Sequence, residues 1–177
     1  LYSSQKRAKS LRISVSAATF VPKPFTPFQW ERQADEQEVK HKQDFILKHL
    51  PRGVHFSWSA YYPSLLEAVL ARGDRRLGKV ILSAYKNGCT FDGWDNLFCE
   101  EGWRKAFDDC GICAEQYVRE RGEEEILPWD FVDIEVSKKF LLSERKRAYD
   151  GKVTGSCLSG CKGCGMQKMC PAARGEI

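Results

Sequence analysis

Four cysteines lie close together near the C-terminal end of the sequence, in a stretch that is rich in glycine and almost without apolar residues. Three of them, Cys157, Cys161 and Cys164, have C-x3-C-x2-C spacing, and Cys170 follows them. A stretch of this composition cannot bury an apolar core of its own, so a fixed structure there would need another kind of bond. Thiolates at this spacing can all bind one metal centre, and the intervening glycines let the backbone fold around it. The sequence therefore predicts a metal-binding tail over residues 151–177.

Two kinds of metal centre fit the four cysteines of this tail. A zinc ion bound by all four would be tetrahedral and closed, which would make it a structural site. An iron–sulfur cluster fits the same ligands, because C-x3-C-x2-C spacing is compatible with a cube that is held by three thiolates and has one open iron. The spacing does not choose between zinc and iron–sulfur. The third alternative is a flexible end whose thiols bind nothing.

Composition places the rest of the chain among ordinary globular proteins, with 42% apolar and 29% charged residues. No apolar run approaches the roughly 20 residues that span a bilayer, so we expect no membrane as a partner. The start of the sequence lacks the apolar segment of a secretory signal, and we expect a cytoplasmic protein with reduced cysteines. The formal net charge of +4 is too small to favour nucleic acid as a partner.

Hydrophobic periodicity predicts an α-rich α/β chain. Residues 11–17 alternate apolar with polar or small side chains, as a strand does, and residues 54–58 have the pattern of a second short strand. Helical patterns occupy six segments: residues 35–50, 64–70, 74–87, 95–107, 113–121 and 136–149. Three residues at the starts of these segments are candidate N-terminal caps: Ser64, Asp74 and Asp95.

A proline-punctuated segment separates the first strand from the first helix. Pro22, Pro24 and Pro27 fall within six residues of the segment 20–30, and each removes a backbone donor and restrains the residue before it. These prolines exclude helix and strand alike, and they predict a rigid extended loop. Such a loop at the end of a strand, carrying aromatic and polar side chains, commonly forms the wall of a pocket.

Several runs of the sequence resemble, in the same order, a family of radical S-adenosylmethionine proteins that carries a cobalamin-binding-like domain ahead of its radical domain. The resemblance covers nearly the whole chain and rests on six runs: residues 14–16, 20–30, 64–68, 72–77, 127–130 and 161–165. The chain departs from the family pattern in two places. Cys157 lies one position later than the family's cysteine, and Cys170 lies further along than the family's last cysteine.

The resemblance implies that this chain is the C-terminal part of such an enzyme. Residues 1–58 would be the last strands and a helix of a partial TIM-type radical-enzyme barrel. Residues 59–150 would be a helical extension packed on it, and residues 151–177 the Cys-rich tail. The sequence begins with Leu1 rather than methionine, which agrees with the expectation of a piece of a longer protein.

Candidate binding residues also follow from the resemblance. Ligands of such barrels lie at the C-terminal ends of the strands, so S-adenosylmethionine and substrate would contact the first strand and the loop that leaves it. The candidate contacts are five polar residues: Ser14, Ser16, Lys23, Thr26 and Gln29. The alternative for the serines is that they are small residues in a tight core. The alternative for the other three is that they only decorate a rigid loop.

The family's radical-generating iron–sulfur cluster is held by a C-x3-C-x2-C motif near the start of the barrel, and it splits S-adenosylmethionine reductively to a deoxyadenosyl radical. That part would precede Leu1, so the tail cysteines are expected to hold an accessory centre, and the chain alone is expected to be inactive. The resemblance implies an electron donor protein as a partner and allows cobalamin as a further cofactor. The sequence does not identify the substrate.

A second function is compatible with the same residues. It is a non-enzymatic helical module with a zinc-stabilised tail that binds a protein or RNA partner. Its supporting feature is the basic cluster at residues 72–76, together with the lysines of the tail. A second C-x2-C pair, Cys110 and Cys113, is interpreted as two ordinary cysteines at a helix end.

Overall fold

The computed structural model describes residues 12–170, without the side chain of Gln167. The regular elements are, in chain order, β1 (Ser14–Ala17), α1 (Glu36–His49), β2 (His55–Trp58), α2 (Tyr61–Arg72), α3 (Leu77–Lys86), α4 (Glu100–Asp109), α5 (Glu115–Val118) and α6 (Lys138–Tyr149), with short 3-10 turns at Cys157–Ser159 and Met166–Lys168. Helices predominate over one small sheet in this part of the chain. The prediction of an α-rich α/β chain is therefore confirmed.

The sheet consists of β1 and β2, which run parallel, with Ser14 paired to His55 and Ala17 to Trp58. α1 connects the two strands, so the described chain starts with a β-α-β unit. The predicted strand over residues 11–17 is observed from Ser14 onward, and Leu11 lies outside the described residues.

Asp35 and Glu38 fix the start of α1. The N–H of Glu38 donates to Asp35 Oδ1 at 2.8 Å, and the N–H of Asp35 donates back to Glu38 Oε2 at 3.0 Å, which is a capping box. The Glu38 carboxylate also accepts two hydrogen bonds from Arg32, at 2.6 and 2.5 Å. Only Val39 of this helix is buried, so its first turn is held by polar contacts rather than by packing.

Two hydrophobic cores lie in the described chain. The larger one joins α2, α3, α4 and α5, and its fully enclosed members include Val69, Val80 and Ala106. The smaller one joins the proline loop (residues 20–30), helix α6 and the segment that follows α5. Its buried residues are Trp30, Leu127, Trp129 and Leu141. The smaller core therefore brings together segments that are far apart in the sequence.

Helix α2 begins at Tyr61, so the predicted start at a Ser64 capping box is wrong. Pro63 falls in the first turn of the helix. An N–H group at this position would have no intrahelical acceptor, so a proline there costs the helix no hydrogen bond. Ser64 lies inside the helix, and its hydroxyl donates to the carbonyl of Ala60 at 3.2 Å. Helix α3 begins at Leu77 with Arg76 as its N-cap and without a side-chain cap, so the predicted cap at Asp74 is also wrong. Asp74 Oδ1 instead accepts the N–H of Arg76, before the helix begins, at 2.9 Å.

Helix α4 begins at Glu100 with Cys99 as its N-cap, so the predicted cap at Asp95 is also wrong. The residues around Asp95 form tight turns instead. The N–H groups of Leu97 and Phe98 donate to the carbonyl of Trp94 at 2.9 and 3.0 Å. These turns postpone the helix by several residues.

Helix α5 ends at Val118 and does not continue to residue 121 as predicted, because the main chain there is bonded to the segment before α1. The carbonyl of Val118 accepts the N–H of Gln33 at 2.8 Å, and the N–H of Arg121 donates to the carbonyl of Trp30 at 2.9 Å. These contacts cross residue 58, the predicted boundary between barrel end and helical extension. The division of the chain into three parts stays a prediction.

Arg72, the last residue of α2, is fully buried. Its guanidinium donates to three main-chain carbonyls: those of Tyr117 at 3.0 Å, Glu31 at 2.5 Å and Arg119 at 2.9 Å. Burial, followed by the nearby charges of Arg121 and Arg119, lowers the pKa of Arg72 to about 10. Arg72 therefore does not belong to the exposed basic surface that the sequence suggests at this point.

Among residues 12–170, no helix is both long and apolar enough to cross a membrane.

Candidate functional site

The proline loop leaves the C-terminal end of β1 and closes on itself through a short turn. The hydroxyl of Thr26 donates to the carbonyl of Lys23 at 2.8 Å, and the N–H of Gln29 donates to the carbonyl of Thr26 at 3.1 Å. Gln29 Oε1 accepts the N–H of Phe25 at 2.9 Å. Phe25 has a φ of 59°, in the left-handed region, which the turn around it imposes. The loop thus has a defined shape that places Gln29 inward.

Gln29 and Trp129 connect this loop to the segment 127–130. The indole N–H of Trp129 donates to Gln29 Oε1 at 2.7 Å, and both side chains are buried. The same oxygen accepts two N–H donors, so the amide orientation of Gln29 is determined by its partners. The loop and the segment 127–130 therefore form one unit around Trp30.

A cavity of about 440 Å³ opens beside this pair, between the loop, the segment after Trp129 and the start of α6. Its walls combine apolar and polar side chains, among them Gln29, Trp129, Asp130, Asp133, Lys138 and Leu141. Asp130 Oδ2 accepts the N–H of Leu127 at 2.9 Å and lies 3.7 Å from Lys138 Nζ. A cavity with an aromatic wall and a few converging polar groups is suited to a small polar ligand.

The five predicted contact residues do not gather at this cavity. Gln29 lines it, whereas Lys23 forms an ion pair with Glu67 of α2 and Thr26 closes the loop turn. Ser14 and Ser16 lie on one face of β1 and are exposed. Gln29 is therefore the predicted residue whose position fits a pocket contact, and the ligand roles of all five residues stay predictions.

The Cys-rich tail contacts α6 and the residues just before it at two places, one at Cys164 and Gly165 and one at Thr154. The N–H of Ser137, the N-cap of α6, donates to the carbonyl of Cys164 at 2.8 Å. Gly165 has a φ of 121° and lies against the backbone of Glu135, so closely that a Cβ would collide with it. Toward the other end of the helix, the hydroxyl of Thr154 lies 2.6 Å from both carboxylate oxygens of Glu144.

The tail cysteines are all free thiols. Cys157 and Cys161 are exposed, whereas Cys164 and Cys170 are partly buried. The N–H of Gly163 donates to Cys161 Sγ at 3.4 Å, a type of contact that stabilises charge on a metal-bound sulfur. The donor set is chemically suited to zinc or iron–sulfur. Within the described ranges, no three metal-ligating side chains approach each other closely enough to hold an ion, so the metal centre stays a prediction.

The pairing of Gln29 with Trp129 and the burial of Arg72 were not predictable from the sequence, because neither residue carries a local signal of its partner. The only available hint was the run 127–130, which the sequence presents as a motif without a role. Comparison with known proteins adds no relative: no family model matches the chain, and neither a curated protein nor a solved structure matches it.

Proposed function

We propose that this chain is the C-terminal part of a radical S-adenosylmethionine iron–sulfur enzyme, whose tail carries an accessory metal centre. The observation that carries the proposal is the β1-α1-β2 unit, in which β1 leads directly into the loop that presents Gln29 to a cavity. Barrels of parallel strands and helices repeat this unit, and their ligands bind at the C-terminal ends of the strands. The loop occupies that position relative to β1.

The small size of the sheet supports the proposal. Parallel sheets occur almost only with both faces covered, and a two-stranded sheet is marginal in water. In the described chain, however, the pair of strands exposes alternate side chains, including Ser14, Ser16, His55 and Ser57. We propose that preceding strands of a longer protein complete the sheet as a partial TIM-type barrel. The exposed serines would then face the interior of that barrel.

Cofactors are assigned as follows. Cys157, Cys161, Cys164 and Cys170 would hold the accessory centre, and an iron–sulfur cluster bound there would supply one-electron transfer. S-adenosylmethionine and an unidentified substrate would bind at the C-terminal ends of the barrel strands, with Gln29 as a contact. A protein electron donor belongs to the same proposal, which also allows cobalamin as a further cofactor. This chain contributes binding surface and the tail rather than the radical-generating motif.

Anaerobic reconstitution of the 177-residue chain with iron and sulfide tests the tail. We expect about four iron and four sulfide per chain and a broad visible absorption that dithionite bleaches. Serine at any one of Cys157, Cys161 and Cys164 is expected to remove most of this signal, whereas Cys113→Ser, which changes an exposed cysteine outside the tail, is expected to retain it. The proposal places the radical-generating motif upstream of Leu1. A cluster that forms on the 177-residue chain is therefore bound by cysteines other than those of that motif.

The second candidate is a non-enzymatic module with a structural zinc site, which binds a protein or RNA partner. The attachment of the tail to α6 through Cys164 and Gly165 supports it, because a structural zinc site holds a chain end in place. A colourless protein with one zinc per chain would favour this module and overturn the iron–sulfur assignment. A coding sequence without another C-x3-C-x2-C motif upstream of Leu1 would overturn the radical-enzyme proposal itself.

A further inference from the structure

Two cysteines outside the tail, Cys89 and Cys99, lie at the two ends of the loop between α3 and α4. Cys89 lies three positions after Lys86, the last residue of α3, and its N–H donates to the carbonyl of Ala84 at 3.0 Å. Cys99 is the N-cap of α4. Both are free thiols; Cys89 is only 6% exposed, and Cys99 is partly buried. The proposed function uses neither of them.

The two sulfur atoms meet at Gly102, in the first turn of α4. A Cβ at Gly102 would lie 2.5 Å from Cys89 Sγ and 3.1 Å from Cys99 Sγ, so both sulfurs occupy space that only glycine leaves free. The Cys89 thiol also donates to the carbonyl of Cys99, with 3.7 Å between sulfur and oxygen. The fold therefore brings two thiols together from the opposite ends of one loop.

The two thiols differ in access and in electrostatic environment. Cys99 Sγ accepts the N–H of Gly102 at 3.4 Å, at the N-terminal end of a ten-residue helix, and Cys99 is partly buried, whereas Cys89 is buried. Burial, followed by the neighbouring Cys99 and Asp92, raises the pKa of the Cys89 thiol to about 11. A reagent in solution therefore reaches Cys99 first, and Cys89 reacts second.

We propose that Cys89 and Cys99 form a redox pair, which closes to a disulfide by exchange with a low-molecular-weight disulfide such as oxidised glutathione. The Cys99 thiolate attacks one sulfur of the reagent, forms a mixed disulfide and releases one reagent thiolate, which is protonated by solvent. Cys89 then loses its proton to solvent and attacks Cys99 Sγ, which expels the second reagent thiol. The two protein thiols lose two electrons, and one reagent disulfide is reduced to two thiols.

Closure of this pair changes an exposed apolar surface. The loop between the two cysteines exposes Phe91, Trp94 and Leu97. In the reduced protein, turn hydrogen bonds shape the loop, such as the 3.0 Å bond from the N–H of Trp94 to the carbonyl of Phe91. A disulfide restrains the loop ends covalently and limits the freedom of the unfolded chain. The redox state of the pair therefore sets the rigidity of this surface.

Oxidation of the reduced full chain with oxidised glutathione, followed by alkylation and mass spectrometry, tests the proposal. Both cysteines lie in one tryptic peptide, residues 87–104, so closure appears as an unalkylated peptide that is lighter by two hydrogens. Cys113 is exposed and serves as an internal comparison. We expect the closed peptide to dominate by the time that Cys113 has formed a mixed disulfide with glutathione. Closure is also expected to raise the Tm by about 5 °C or more.

Two serine variants test the order of the steps. In Cys89→Ser the mixed disulfide at Cys99 should accumulate, because no second thiol resolves it. In Cys99→Ser, Cys89 should remain reduced for at least tenfold longer than the exposed Cys113, because it is buried. Equal rates of modification at Cys89 and Cys113 in Cys99→Ser would contradict the assigned order.

A glycine pair tests the geometry. Gly102→Ala should slow closure at least tenfold by displacing the sulfurs, whereas Gly78→Ala on α3, where nothing lies within 4 Å of a new Cβ, should not. If Gly102→Ala does not fold, the serine variants and the wild-type peptide decide the question. A wild-type peptide that remains fully alkylated or carries only glutathione, while Cys113 is modified, would overturn the redox pair.

Discussion

Arg121 donates a hydrogen bond from its guanidinium to the main-chain carbonyl of Arg72 at 3.0 Å, and both arginines are buried. Among the described residues, Arg72 forms no ion pair, and the Glu125 carboxylate lies 3.8 Å from Arg121 Nη1. Main-chain carbonyls accept the hydrogen bonds of the Arg72 guanidinium, whereas the buried Nε of Arg121 has no partner among the described residues. A buried carbonyl that loses its donor costs free energy, so the two arginines are expected to determine how firmly α2 is held to its neighbours.

Replacement of Arg72 should be strongly destabilising. Arg72→Met keeps a long apolar side chain but leaves the carbonyls of Glu31, Tyr117 and Arg119 without their donor. We expect the free energy of unfolding to fall by about 3 kcal/mol, measured by urea denaturation. Arg75→Met is the matched control, because Arg75 is exposed and its change should stay within about 0.5 kcal/mol. Equal effects of the two changes would contradict this assignment.

The hydrogen bond between Gln29 and Trp129 should contribute more to the free energy of unfolding than hydrogen bonds on the protein surface do. Gln29→Leu keeps the volume of the side chain but leaves two N–H donors, those of Trp129 and Phe25, without an acceptor. We expect a loss of about 2–4 kcal/mol in the free energy of unfolding. Trp129→Phe removes one of those donors, so the double variant should lose less than the sum of the two single losses. Strict additivity would show that the two residues do not interact.

The contact of Gly165 with Glu135 should control how the tail is held. Gly165→Ala introduces a Cβ that collides with the backbone of Glu135, so we expect the tail to detach while the cores stay folded. Hydrogen exchange should then increase in residues 152–170 and remain unchanged in α2 to α4. Gly160→Ala is the control, since Gly160 also has a positive φ, of 109°, but has open space around it. The same increase in Gly160→Ala would assign the effect to backbone strain alone.

Glu38 should titrate far below an ordinary glutamate. The hydrogen bond from Arg32, followed by the N–H of Asp35, lowers the pKa of Glu38 to about 2 from 4.5. The folded state therefore binds this proton less readily than the unfolded chain, and the stabilisation is complete above pH 4.5 and is lost as the pH falls toward 2.

A carboxyl NMR titration checks this value. In Arg32→Gln, we expect the midpoint of Glu38 to rise toward 4.5, although the bond from Asp35 remains. Lys40→Gln removes another positive charge of α1 without touching a partner of Glu38, so its midpoint should not move. A midpoint near 4.5 in the wild-type protein would show that the contact with Arg32 is not formed in solution.

Local sequence signals were sufficient for elements whose ends depend on their own residues. The alternation after residue 11 placed β1, and the apolar positions of α1 placed that helix to within one residue at each end. They were insufficient where distant residues compete for the main chain. Helix α5 ends early because Gln33 takes a carbonyl at its end, and no pattern near Val118 encodes that partner.

The candidate site was also predictable only in part, since one of its two walls was indicated by the sequence. The prolines of the loop and the position of Gln29 within it indicated a rigid pocket wall, and the structure places Gln29 at a cavity. The second wall comes from Trp129, and its position depends on packing that no local pattern contains. Cys99 was missed as a helix cap because a thiol is a weak acceptor and is rarely considered for that position.

The long separation between partners in the smaller core has a consequence for biosynthesis. Gln29 bonds to a residue 100 positions later, and Glu31 forms an ion pair with Arg145, which is 114 positions later. At 5–20 residues per second, a ribosome needs roughly 5–20 s to make that much chain. During this interval the buried core partners of Trp30, which are Leu127, Trp129 and Leu141, have not all been made. We therefore expect the proline loop to be among the last parts of the nascent chain to fold, and to be exposed to chaperones and proteases until α6 has emerged.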